Sequence, residues 1–87
     1  MDGYNLLIKP SAVKELEAIS RKDRQRVVER ILALAADPRP PGSEKLSGED
    51  KYRVRQGSYR VVYQIDDGAH EVTIVKIGHR RELYRED

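Results

Sequence analysis

Residues 52 to 63 read Tyr-Arg-Val-Arg-Gln-Gly-Ser-Tyr-Arg-Val-Val-Tyr, and this alternating run, broken only at Gly57-Ser58, constrains the fold more than any other part of the chain. A β-strand sends successive side chains to opposite faces, so Arg53 and Arg55 share one face while Tyr52 and Val54 share the other. A two-residue turn at Gly57-Ser58 sets Arg55 directly opposite Arg60. Like charges in direct opposition destabilise a strand pair unless an anion lies between them. A phosphate fits that requirement.

Around this hairpin the rest of the chain falls into place. Tyr4 to Lys9 is short, apolar and β-branched near its end, as a buried strand is. Pro10-Ser11 interrupts it, and Ser11 is the expected cap of a helix carrying Ala12, Val13, Leu16 and Ile19 on one broad face. A second helix is expected from Arg21 to Asp23 onward, with Val27, Val28, Ile31, Leu32, Leu34 and Ala35 as its apolar stripe, ended by Asp37-Pro38. Pro38 to Ser43 cannot continue a helix and leads into Glu44-Lys45-Leu46-Ser47-Gly48, read as a loop with one anchoring leucine. Three strands then follow, at about 51–56, 59–66 and 71–78, with the second hairpin turn at Asp67-Gly68. In the middle strand Tyr59, Val61, Tyr63 and Ile65 face the helices, and Arg60, Val62 and Gln64 face away. Val72 to Ile77 is apolar on both faces, as a central strand is.

The order is β-α-α-β-β-β in a single domain spanning residues 1–87. Its fold class is α+β: a small antiparallel sheet with a helical pair on one face, the arginines lying on the exposed other face. With 87 residues, 38% of them hydrophobic and no Phe or Trp, the core is aliphatic and its stability margin small. The absence of cysteine excludes disulfides and thiolate metal sites and suits a reducing cytoplasm. No apolar run approaches the roughly 18 residues of a membrane span, and the N-terminus does not read as a signal peptide. A soluble, cytoplasmic protein without membrane association is expected.

Net charge is only +2, but its distribution is uneven. Between Lys51 and Arg81 the only acids are Asp66, Asp67 and Glu71, gathered at one turn. The cationic constellation is Arg53, Arg55, Arg60, Arg80 and Arg81, with Lys45 and Lys51 at its margin. Guanidinium groups grip phosphate through a planar fork of donors and keep their charge at any relevant pH. The competing reading is a solvated outer face. Tyr84 is either an apolar lid on the sheet edge or, beside guanidinium groups that lower a phenol's pKa, a general base. A helical tail would set it one turn after Arg80. His79, at the end of the last strand, is either structural or a proton donor. His70 reads as solvent-exposed and idle, and Glu44 as an exposed loop charge able to reach a cationic site. Histidine spacing, adjacent turn aspartates and the lack of a glycine-rich phosphate loop give no support to a metal or nucleotide site, and no cofactor is expected.

Pro-Ser-Ala-Val-Lys-Glu-Leu at 10 to 16, Lys-Leu-Ser-Gly at 45 to 48, the hairpin at 52 to 63 and Ile-Gly-His-Arg-Arg-Glu-Leu-Tyr at 77 to 84 together resemble the RelE/ParE superfamily, toxins of bacterial type II toxin-antitoxin systems. The similarity spans nearly the whole chain. It implies a ribosome-dependent mRNA endonuclease, working in the ribosomal A site against mRNA and rRNA and held inactive by an acidic RelB-like antitoxin that wraps it. The complex would bind promoter DNA through the antitoxin. In RelE-type members the catalytic residues correspond here to Arg53 and Arg55, Arg60, Arg80 and Tyr84, whereas the ParE branch, which poisons DNA gyrase, generally lacks that combination.

The implied reaction is attack of a ribose 2′-hydroxyl on the adjacent phosphate. Arg53, Arg55 and Arg60 stabilise charge and Tyr84 acts as base, while the acid stays open between His79 and Arg80. Some relatives use a glutamate before the loop leucine, a role within reach of Glu44, and Ser47 stands where the family carries a further basic residue. A gyrase inhibitor and a non-catalytic RNA-binding or degenerate toxin remain the alternatives.

Overall fold

The computed structural model describes residues 3–46 and 50–79. Strand β1 (Asn5–Ile8) leads into helix α1 (Pro10–Glu17) and helix α2 (Arg21–Ala36), followed by a two-residue strand β2 (Glu44–Lys45) and strands β3 (Lys51–Gln56), β4 (Tyr59–Asp66) and β5 (Glu71–His79). Pro10, not Ser11, opens α1, and Lys9 occupies the cap position without a side-chain bond. Proline fits the first helical position because its fixed φ is helical and its missing N–H would be unpaired there anyway. Ser11 therefore falls inside the first turn. At the other end of the helical pair, Asp37 turns extended before Pro38 and stops α2, as the clash with a following proline ring requires.

The five strands form one sheet in the order β1-β5-β4-β3-β2. The β3–β4 and β4–β5 pairings are antiparallel hairpins, but β1 runs parallel to β5. The sheet is thus mixed rather than wholly antiparallel. The helical pair forms the crossover that a parallel neighbour needs, bringing the first strand beside the last. The loop expected at 44–48 also pairs: Glu44 lies opposite Arg53 and Lys45 opposite Tyr52. Two residues are too few to leave an alternating pattern, so only the pairing reveals β2.

Inner-face residues Val54, Val61, Tyr63, Ile65, Val72, Ile74 and Ile77 pack against Ala12, Ile19, Val27, Ile31 and Leu34 to form the core. Val27, Ile31 and Leu34 recur at four and three residues, one stripe of a helix. Leu32 was counted in that stripe but is 60% exposed, because one residue rotates a helical side chain by about 100°. In β5 the buried positions 72, 74 and 77 break strict alternation. A bulge at Val75, where Val62 pairs with Lys76 and Tyr63 with Ile74, inserts the extra residue that returns Ile77 to the core face.

Two turns fix the register. Gln56 pairs with Tyr59 around Gly57-Ser58, and Gly57 has φ 61°, the positive angle that a two-residue hairpin takes at no cost with glycine. The second hairpin closes at Asp66 and Glu71, so its turn is longer than Asp67-Gly68. The Asp66 carboxylate accepts the Ala69 N–H at 3.0 Å, and His70 takes φ 56°. His70 is exposed yet not idle: its ring stacks on Tyr4 with centroids 4.7 Å apart, and its carbonyl accepts the Asn5 N–H. This contact anchors the start of β1 beside β5.

Candidate functional site

The hairpin register sets Arg55 directly opposite Arg60, and Arg60 in turn opposite Gly78 of β5. Beside them His79 lies opposite Tyr59, their rings meeting edge to face at 5.6 Å between centroids. The outer face at the Gly57-Ser58 end of the sheet thus carries two guanidinium groups, while His79, paired with Tyr59, takes the helix-facing side beside Ile19 and Ile77. Gly78, across from Arg60, has no side chain of its own. The sheet face away from the helices was expected to leave all of its arginines exposed, but Arg60 is only 5% exposed. At Arg60 β4 has a paired strand on each side, whereas β2 reaches β3 only at Tyr52 and Arg53, and Arg55 projects into solvent.

Arg53 lies two positions before Arg55 on the same face, opposite Val62. The strands holding these arginines carry no acid of their own beside them, and Glu44 is the loop charge within reach. The β2 pairing brings it in: Arg53 Nη2 and Nε donate to Glu44 Oε1 at 2.6 and 3.2 Å. The hydrogen bond and charge of Arg53, reinforced by Arg60 and Arg55, hold the Glu44 carboxyl below its ordinary value. One carboxylate therefore feels all three guanidinium charges and occupies the kind of position an anionic ligand would take. It remains 61% exposed at its side chain, open to displacement by a stronger anion.

Not every residue singled out from the sequence joins this group. Lys51 shares the outer face but lies opposite Gln64, about 13 Å along the strand from Arg55 at 3.3 Å per residue. Lys45 alternates away from Glu44 and lines a groove of about 600 Å³ with Arg39, Asp50, Asp66, Asp67 and Glu71. Acids predominate around it. Arg80, Arg81 and Tyr84 lie outside the described residues, as does Ser47. Among the described residues no group of three or more His, Cys, Asp or Glu is placed to hold a metal ion.

Two interactions that support the site carry no sequence signature. Where β1 ends opposite Ile74, β5 continues with no strand on that side among the described residues, and Glu15 of α1 fills the gap. The Ile77 N–H donates to Glu15 Oε1 at 2.8 Å, with Lys76 Nζ 3.8 Å from Oε2. This fixes the strand end that bears Gly78 and His79. At the opposite end Arg39 grips Asp67 through two N–H donors at 3.0 and 3.3 Å, reaches the Tyr52 hydroxyl at 3.2 Å, and lies over its ring at 5.2 Å. The Tyr4 hydroxyl also donates to Asp67 at 2.7 Å. Arg39 and Tyr4 together hold the Asp67 carboxyl below its usual range, and the same bond raises the Tyr4 phenol.

Comparison with known proteins agrees with this fold. Residues 6–84 match the family described as the ParE toxin of type II toxin-antitoxin systems, parDE. Toxin RelE of Mycobacterium tuberculosis is 34% identical over 84 residues, covering 94% of this chain and 87% of the relative. The toxin in the archaeal RelE-RelB complex from Pyrococcus horikoshii superposes with a TM-score of 0.82 at 30% identity, over 90% of this chain and 96% of that one. The isolated RelE toxin of E. coli gives 0.78 at 28% identity, over 95% and 93%. The chain belongs to the RelE/ParE superfamily and is a toxin of the type II toxin-antitoxin class.

Proposed function

We propose that this toxin is a metal-independent mRNA endonuclease acting in the ribosomal A site, in contact with mRNA and rRNA. The observation that carries the reading is the cross-strand register of Arg55, Arg60 and Gly78 on the outer sheet face. Two like charges directly opposed within a hairpin, with a third guanidinium two residues away, are stabilised by an anion lying over all of them.

A ribose 2′-hydroxyl attacks the adjacent phosphorus. The new 2′-oxygen–phosphorus bond forms as the bond to the 5′-oxygen breaks, leaving a 2′,3′-cyclic phosphate and a 5′-hydroxyl. Arg53, Arg55 and Arg60 bind the non-bridging oxygens and stabilise the charge that grows there in the transition state. Tyr84, by family resemblance, takes the 2′-hydroxyl proton, and Arg80 supplies one to the leaving 5′-oxygen, a role open to His79 only by turning from the helix-facing side round the strand end. Arg81 and Lys51 add contacts to the flanking RNA. Glu44 must give up Arg53 for the phosphate to seat fully.

The partner that silences the toxin is a RelB-like acidic antitoxin, since solved RelE relatives include complexes with RelB. Promoter binding by the complex falls to the antitoxin. The gyrase-directed reading keeps one point in its favour, namely that the matching family is described by its ParE member.

Primer extension on message recovered after induction, combined with a plasmid supercoiling assay, separates the two. Discrete breaks within translated codons and normal supercoiling support the nuclease, whereas intact message with relaxed or broken DNA refutes it. Arg55→Gln removes an exposed cation without touching the core, so folding persists while cleavage falls by about tenfold or more, as loss of one charge-stabilising donor costs on the order of 10²-fold. Arg60→Gln should fall further.

A further inference from the structure

The arginine site does not exhaust the cationic surface at this end of the molecule. Helix α2 opens Arg21-Lys22-Asp23-Arg24-Gln25-Arg26, four cations within six residues. A helix N-terminus is the positive end of the backbone dipole, so basic residues crowded there weaken the helix. Asp23 is the single acid in the first turn, and Glu29 shares a shallow surface groove with Arg21 and Arg24. Among the described residues neither is paired with a guanidinium, and the side-chain bond from the cluster runs from Arg24 Nη1 to the Glu17 carbonyl at 3.4 Å. Arg21, Lys22 and Arg26 project into solvent.

The position of this cluster gives it meaning. A cleft of about 170 Å³ is lined by Asp23 and Arg26 of α2 together with Gln56, Gly57, Ser58 and Tyr59. The same Tyr59 meets His79 edge to face and lines the next groove with Gly78 and His79. Arg55 and Arg60 stand on the outer sheet face just across the hairpin tip from this cleft, so a strand passing over Gly57-Ser58 meets Tyr59 and Arg26 on the helix side. A basic track with an aromatic side chain along it suits single-stranded RNA, whose phosphates meet the cations and whose bases stack.

We infer that Arg21, Lys22 and Arg26 form a second phosphate-binding patch for the RNA strand whose phosphodiester sits at Arg55 and Arg60, with Tyr59 as the contact between the two. The inference rests on the nuclease reading and extends it: the strand is gripped on both sides of the hairpin tip, and the flank bound by α2 adds affinity without taking part in the chemistry.

The test uses the full chain and labelled 2′-O-methyl RNAs of 4 and 12 nucleotides, which cannot undergo 2′-hydroxyl attack, followed by fluorescence anisotropy across a salt series. Replacing Arg21, Lys22 and Arg26 together by glutamine should weaken 12-nucleotide binding about tenfold at low salt. It should also flatten the log-log salt slope by about 2, from three cations at about 0.7 each. Binding of the 4-nucleotide RNA should stay unchanged. An unchanged affinity and slope for the longer RNA, or no measurable binding of it by the parent toxin, overturns the inference. So does weakened binding to ribosomes lacking mRNA with the single strand unaffected, because the patch would then serve ribosomal RNA. Message cleavage by Arg55→Gln is read separately. Its loss, beside undiminished binding by the triple variant, removes the second patch while leaving the nuclease in place.

Discussion

Glu15→Ala should destabilise the toxin and loosen its site through one backbone N–H. The Ile77 N–H donates to Glu15 Oε1 at 2.8 Å in a part-buried setting, and among the described residues β5 has no strand on that side beyond Ile74. A hydrogen bond to a charged group contributes about 1.5–3 kcal/mol, and an abandoned buried donor costs about 1–3 kcal/mol. The Glu15 side chain is 34% exposed, so water replaces part of the lost bond, and about 1–2 kcal/mol is the expected loss. At this chain length each kcal/mol lowers the melting temperature by about 4–8 °C. Lys76 at 3.8 Å is also part-exposed, and such a pair contributes at most about 1 kcal/mol. Glu15→Gln, which keeps an acceptor oxygen but no charge, should therefore recover most of the loss. Circular dichroism melts of the three proteins read this directly, and hydrogen exchange at Ile77 should accelerate only in the alanine variant. An alanine variant melting within about 2 °C of the parent, or a glutamine variant falling equally far, would refute the reasoning.

Removing the Glu44 carboxylate has the opposite sense at the site: Glu44→Gln frees Arg53 for phosphate and should tighten RNA binding while steepening its salt slope by about 0.7. Weaker binding would show instead that Glu44 orients Arg53 productively. Tyr63→Phe strips the buried hydroxyl that donates to the Pro38 carbonyl at 2.7 Å, and denaturant unfolding should show a loss of about 1–2 kcal/mol. Burial pushes the Tyr63 phenol up to about 12, so the unfolded chain releases this proton first. Stability should be intact below about pH 10 and erode between there and 12, an erosion that Tyr63→Phe should lessen. At the acid end Glu44 and Asp67 both titrate below their ordinary values, so their contribution is complete above the unfolded carboxylate range and lost as pH falls through the folded one. Carboxyl-carbon NMR titration should find both midpoints low, and Arg53→Gln should return that of Glu44 towards normal.

The Tyr52 to Tyr63 run disclosed its register because alternation and a Gly-Ser turn are local properties, and Val27, Ile31 and Leu34 declared their helix through period alone. Other features were hidden because distant partners create them. The parallel pairing of Asn5–Ile8 with β5 depends on where two helices return the chain, which no pattern within the strand encodes. Glu44 became the partner of Arg53 through a two-residue strand too short to alternate. Arg60 was recognisable as a site candidate but not as a nearly enclosed one, since burial of an outer-face side chain depends on flanking strands. Glu15, Arg39 and Asp67 are ordinary surface residues in sequence and acquire roles only through contacts tens of residues away. The α2 basic run was visible in sequence throughout, but its relation to the arginines required the hairpin tip to be placed beside the helix.

The convergence of Arg53, Arg55 and Arg60 on one phosphodiester is tested most directly by the chemistry of the cut ends. Translating ribosomes are supplied with a defined message and the purified toxin, and the fragments are analysed by mass spectrometry. Fragments ending in a 2′,3′-cyclic phosphate and beginning with a 5′-hydroxyl are expected, with their yield sharply reduced by Arg55→Gln. Intact message, or ends carrying a 3′-hydroxyl and a 5′-phosphate, would contradict the assignment.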